Sequence, residues 1–191
     1  MRPLDWLIAF VPCLCLAASA SATDPDPGAK GEPAPKLIQE LRIGVMAHDV
    51  DGLWSGQHKE KGVDYSAEVV FSHPLGEVWS GVIRPNLGFD WHNRGDTSKA
   101  YGGLVWHWNN DRHLSFELGL GAAVHTGERE TRDSHLKQLG SKLLFRIPIE
   151  LGYEVADRQR VSLFFEHVSN AWLADENEGM DLLGARWAYK F

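Results

Sequence analysis

From Leu41 to the last residue the chain alternates apolar and polar side chains with a period of two. That is the period of a β-strand, whose successive side chains point to opposite faces, and not the period of about 3.6 of a helix. Eight segments carry it: Leu41–His48, Val63–Ser72, Ile83–Trp91, Gly103–Trp108, Leu114–Val124, Lys142–Glu154, Arg160–Glu166 and Leu183–Phe191. Several are close to the roughly ten residues that a tilted strand needs to cross a bilayer. An even number of antiparallel strands can close into a ring with both ends on one side. Closure matters, because an open edge in hydrocarbon leaves backbone N–H and C=O groups without partners. The fold class expected is all-β: an eight-stranded antiparallel transmembrane up-and-down β-barrel.

Alternation alone does not say which face is inside. A soluble sandwich or a lipocalin-like barrel alternates equally well, with its apolar row inward. Three features favour the membrane version. Residues 1–22 read as a secretory signal peptide, with Arg2, an apolar stretch from Leu7 to Ala18 and the small residues Ala20-Ser21-Ala22 before the cleavage point. Links after the odd-numbered strands are polar and two are long (50–62 and 125–141), whereas those at 109–112 and 156–159 are tight, the asymmetry of outer loops and periplasmic turns. The chain ends Trp187-Ala188-Tyr189-Lys190-Phe191. A terminal Phe on an alternating last strand resembles the ending that barrel-assembly machinery recognises. Residues 23–36, rich in proline, glycine and charge, read as a flexible periplasmic leader, which leaves 37–191 for the barrel. In that version the charges of the polar row (Arg42, Glu68, Arg84, Glu117, Arg146, Glu150, Glu166, Arg186) fill the lumen as paired networks.

Composition excludes several kinds of chemistry. Both cysteines, Cys13 and Cys15, lie in the signal segment, so disulfides, thiolate catalysis and cysteine-held metals drop out. Arg2 and Asp5 cancel, so the charge of −7 belongs to the exported part, and that argues against nucleic acid as a partner. Of the nine histidines, His92, His107, His113, His125 and His135 fall near strand ends or loops, and none shows metal-ligand spacing. No metal and no cofactor are expected.

His167 stands apart because of its row. On the seventh predicted strand Val161, Leu163 and Phe165 face lipid, and His167 and Ser169 continue that row. On the eighth, the row Leu183, Ala185, Trp187, Tyr189 extends upward to Asp181, which antiparallel pairing brings opposite His167. A hydroxyl, an imidazole and a carboxylate meet where the barrel wall leaves the outer leaflet. This is the set of groups of a serine hydrolase. The bland alternative is three polar side chains at headgroup level on a non-catalytic barrel with a structural or adhesive role.

At these residues the chain resembles the outer-membrane lipid A 3-O-deacylases, the PagL-like family. His167-Val168-Ser169-Asn170, followed by Ala171, matches the family's His-x-Ser-Asn motif. The family's acidic member, usually Glu, falls at Asp181, and a loop asparagine of its oxyanion hole at Asn177. Trp172 stands where the family usually has a glycine whose backbone N–H serves that hole. The resemblance implies a metal-free serine esterase with His167, Ser169 and Asp181 as the catalytic groups, Asn177 and Trp172 at the oxyanion hole, and Asn170 and Ala171 at the substrate. Lipid A or lipopolysaccharide would be the substrate, outer-membrane lipids the surroundings, and a 3-hydroxy fatty acid the product. A homodimer is left open. Lys137 and Lys142 are basic loop residues that read as solvated charges more than as phosphate ligands.

Overall fold

A computed structural model describes residues 36–110 and 112–191. The expected signal peptide, and the expected leader up to residue 35, lie outside the described residues. Nine strands form: β1 (Ile38–Ala47), β2 (Val63–Phe71), β3 (Gly76–Val78), β4 (Gly81–His92), β5 (Lys99–Asn109), β6 (Leu114–His125), β7 (Leu143–Ala156), β8 (Gln159–Ser169) and β9 (Met180–Lys190). All pairings are antiparallel, each long strand bonds its neighbours in sequence, and β1 pairs with β9 to close the ring. The eight predicted strands are the eight barrel staves. The ninth strand, β3, is a three-residue stub that pairs with β4, its Val78 carbonyl also accepting from the Trp106 indole N–H at 2.7 Å. Its hairpin turns at Trp79 and Ser80, both with positive φ, as a two-residue turn of the type that follows strand twist demands.

The two faces separate the membrane reading from the soluble one. Leu41, Ile43, Val45, Leu87, Phe89, Leu118, Leu120, Leu151 and Leu163 are exposed on the outer wall, while Arg42, Glu68, Glu117, Arg146, Glu150, Arg160, Glu166 and Arg186 are buried in the lumen. A water-soluble domain does not turn out an apolar band of this extent. In a bilayer the acyl chains cover it.

Charges in the lumen are paired at close range. Arg42 donates to both oxygens of Glu117 at 2.6 and 2.7 Å and to Glu68 and Glu40 at 2.9 Å. Arg160 joins Glu150 at 2.8 Å and Glu40 at 2.9 Å. Lys99 sits between Asp90 at 2.8 Å and Glu166 at 2.9 Å, and Arg146 binds Glu166. The guanidinium of Arg186 lies 3.5 Å over the Phe164 ring and that of Arg146 lies 3.6 Å over Tyr101. Such networks hold register, because removing one member strands the others without water. Toward the outer end the interior turns apolar: Met46, Leu139, Leu144, Phe164, Val168, Met180 and Leu182 form a buried cluster.

Candidate active site

Strands β8 and β9 deliver the three candidate groups. Their register pairs His167 directly with Asp181. His167 Nδ1 lies 2.7 Å from Asp181 Oδ1, and His167 Nε2 lies 3.0 Å from Ser169 Oγ. The aspartate, one methylene shorter than a glutamate, reaches the ring because the two residues are cross-strand partners. With Asp181 accepting from Nδ1–H, the Nε2 lone pair faces the serine hydroxyl, the tautomer a general base requires. Asp181 is fully buried and His167 nearly so, although both stand on the row that faces lipid lower down.

The cover comes from a segment that shows no motif. The outer loop after β1 brings the backbone N–H of Trp54 and of Ser55 onto Asp181 Oδ2 at 2.5 and 2.6 Å, from 127 and 126 positions away in sequence. Each carboxylate oxygen is thus occupied, one by the imidazole and one by two amides. The Trp54 indole lies nearly parallel to the His167 ring, with centroids 4.6 Å apart and planes 16° apart, and continues over Phe165. Outwardly, 56% of Trp54 remains exposed. The only sequence cue was an aromatic beside small residues in a polar loop, which is not specific.

Buried polar contacts hold that loop. Lys137, expected to be solvated, is buried: its ammonium pairs with Asp49 at 3.0 Å and donates to the Gln57 carbonyl, and its backbone N–H donates to Glu60 at 2.9 Å. A lysine enclosed by the outer loops has no free charge for a lipid phosphate. Lys142 donates to the Gly127 carbonyl at 2.9 Å. Lys59 pairs with Glu178 of the β8–β9 loop. Asn170, expected at the substrate, instead points into the protein, where its amide donates to the carbonyls of Leu139 at 2.9 Å and Glu176 at 2.5 Å. Beside it Gly140, at φ 70°, passes so close to the Glu176 carbonyl that a Cβ would collide with it.

A cleft of about 310 Å³ opens over His167 and Ser169, lined also by Trp54, Ala171, Trp172 and Asn177. Asn177 Oδ1 accepts from the Asn170 backbone N–H at 2.9 Å. That fixes the amide's orientation and leaves Nδ2 to donate. Ala171 and Trp172 both adopt left-handed backbone, φ 55° and 61°, a region glycine enters without strain and other residues do not. The Trp172 side chain is 76% exposed. A larger apolar depression, about 630 Å³, lies further toward the periplasm on the same wall, lined by Ile43, Val45, Tyr65, Val161, Ala185 and Trp187. Ser66, Ser162 and Arg186 also border it, but no histidine does, whereas the smaller cleft joins His167 to Ser169.

A second polar group forms at the foot of the first outer loop, where sequence spacing showed nothing. His48, just beyond β1, lies 2.8 Å from Asp64 and 3.0 Å from Glu60, and His92 approaches Asp64 from the other side at 3.0 Å. Burial works to lower the His48 pKa, but the hydrogen bonds to Asp64 and Glu60 prevail and raise it. Burial likewise pushes Glu60 up, while His48 and the Lys137 amide hold it below its usual value.

The family model described as lipid A 3-O-deacylase (PagL) matches residues 65–190. Lipid A deacylase PagL of Bordetella bronchiseptica is 27% identical over 147 residues, covering 71% of this chain and 79% of that relative. Among solved structures, the crystal structure of the outer membrane enzyme PagL superposes with a TM-score of 0.57 at 20% identity, covering 80% of this chain and 99% of that one. Neisserial surface protein A superposes at 0.50 with 10% identity, over 80% of this chain and 97% of that one. At these identities the structural likenesses speak for the fold.

Proposed function

Since the chain belongs to the lipid A 3-O-deacylase (PagL) family and is an outer-membrane barrel, we propose that it is a serine esterase that hydrolyses the 3-position acyl ester of lipid A in the outer leaflet. The observation that carries this reading is the unbroken chain from Asp181 Oδ1 through both nitrogens of His167 to Ser169 Oγ, set on the lipid-facing row.

Chemistry follows from that order. His167 Nε2 takes the Ser169 proton as Oγ bonds to the ester carbonyl carbon. Asp181, held by the amides of Trp54 and Ser55, keeps the ring's tautomer and stabilises the imidazolium. Asn177 Nδ2 and a backbone N–H at Ala171–Trp172 would face the oxyanion. The carbonyl–oxygen bond to the sugar then breaks, and the departing 3-oxygen takes the proton from His167. Water, deprotonated by His167, attacks the acyl-serine, and a 3-hydroxy fatty acid leaves as Ser169 regains its proton. Ala171 borders the opening through which the acyl chain would enter.

Mass spectrometry of lipid A from cells making the wild type, Ser169→Ala or His167→Ala tests this. The wild type should strip one 3-hydroxyacyl group and release it as free acid, and neither variant should. Removal that persists in the serine variant would overturn the esterase reading, and an acyl group recovered on a lipid acceptor would make the protein an acyltransferase.

A further inference from the structure

His48, Asp64 and His92 come from three separate places, the end of β1, the start of β2 and the end of β4. Each offers one ligand atom, and these atoms lie within 4.8 Å of one another. All three side chains are almost wholly buried. Gly62 makes the space, because a Cβ there would strike the His92 ring.

Acidic groups face both rings of this cluster. Each imidazole points Nδ1 at one oxygen of Asp64, at 2.8 Å for His48 and 3.0 Å for His92. Each points Nε2 at a second carboxylate, His48 at Glu60 Oε2 3.0 Å away and His92 at Asp96 Oδ2 3.4 Å away. All four ring nitrogens therefore face acceptors. The two rings touch, with centroids only 3.9 Å apart, so two imidazoles and a carboxylate share one small buried space. His92 Nε2 is moreover buried without a hydrogen-bond partner.

One divalent ion fits this arrangement, bound by both Nδ1 atoms and Asp64 in place of any protons on those nitrogens. The remaining Nε2–H groups then donate to Glu60 and Asp96, the arrangement by which carboxylates orient metal-bound histidines. Two imidazoles and a carboxylate suit zinc, nickel or copper rather than calcium or magnesium, which prefer all-oxygen sites. We propose that His48, Asp64 and His92 form a structural site for one such transition-metal dication, which pins β1, β2 and β4 at the foot of the loop carrying Trp54 and Ser55. The site stands on its own geometry and is independent of the esterase reading.

Zinc is the probe. The refolded full chain in detergent micelles, equilibrated with zinc and desalted, should retain one zinc per chain. In ¹⁵N histidine spectra of metal-free wild type, added zinc should move Nδ1 of two rings and leave the others unmoved. His92→Gln should lose the zinc, whereas His113→Gln and His135→Gln, in exposed turns, should keep it. Wild type that retains no zinc, or a His92→Gln chain that retains as much as wild type, would overturn the site. Should His92→Gln not refold, the wild-type spectra decide: shifts spread over the exposed rings mean adventitious binding and sink the proposal.

Discussion

The middle and the outer end of β8 and β9 are built on opposite plans. In the middle, the wall turns Val161, Leu163, Ala185 and Trp187 outward and Arg160, Ser162 and Arg186 inward. Two steps higher the same rows invert: His167, Ser169 and Asp181 stand outward, while Val168, Met180 and Leu182 pack inside. Polar groups on a lipid-facing row are costly unless paired and covered. Here they are both, through each other and through Trp54 and Ser55. The inverted end spends stability on an arrangement that a purely structural stave does not need, and such local departures from a fold's rule are where function is expected.

Substitutions can break or sharpen this contrast. The largest effect belongs to the outward polar group. His167→Ala should lower hydrolysis by at least about 10⁴-fold, with heat-modifiable migration on gels unchanged. A variant that loses its fold with its activity would make the group structural. Next comes the inward polar group. Arg42→Met leaves Glu40, Glu68 and Glu117 short of a cation. It should cost about 3–5 kcal/mol of stability, read by urea unfolding in micelles, while activity per folded molecule persists. Smaller is Trp54→Ala, which keeps the amide on Asp181 but removes the indole from His167. A stack worth about 1 kcal/mol predicts roughly a fivefold fall in kcat/KM, and no change would show that the indole only shields. Smallest is Trp172→Gly. Relieving a left-handed backbone should add up to about 1 kcal/mol with hydrolysis retained, and a lower unfolding midpoint would mean that the side chain's contacts outweigh the strain.

Strands were legible because a barrel wall imposes period two on every stave, and a one-residue slip would turn each side chain to the wrong face. His167, Ser169 and Asp181 could be brought together on paper for the same reason: parity and antiparallel pairing fix which residues share a row. What the sequence hid lies in loops, where no period operates. Trp54 and Ser55 meet Asp181 through backbone N–H groups, which every residue but proline possesses, so side-chain identity carries no signal. Lys137 and Asn170 look like surface residues by type, yet the outer loops fold over them and take their hydrogen bonds inward. His48, Asp64 and His92 are joined only by the register of β1, β2 and β4. The stub β3 is too short for alternation to show.

The ion-paired bore gives the envelope a further property. A tube packed in its middle with locked guanidinium and carboxylate groups and toward its outer end with apolar side chains would be an osmotic dead end, so a cell could carry many copies without leaking nutrients or admitting antibiotics through them. Copy number is then limited by the room each cylinder occupies in the sheet of lipids and not by damage to the permeability barrier.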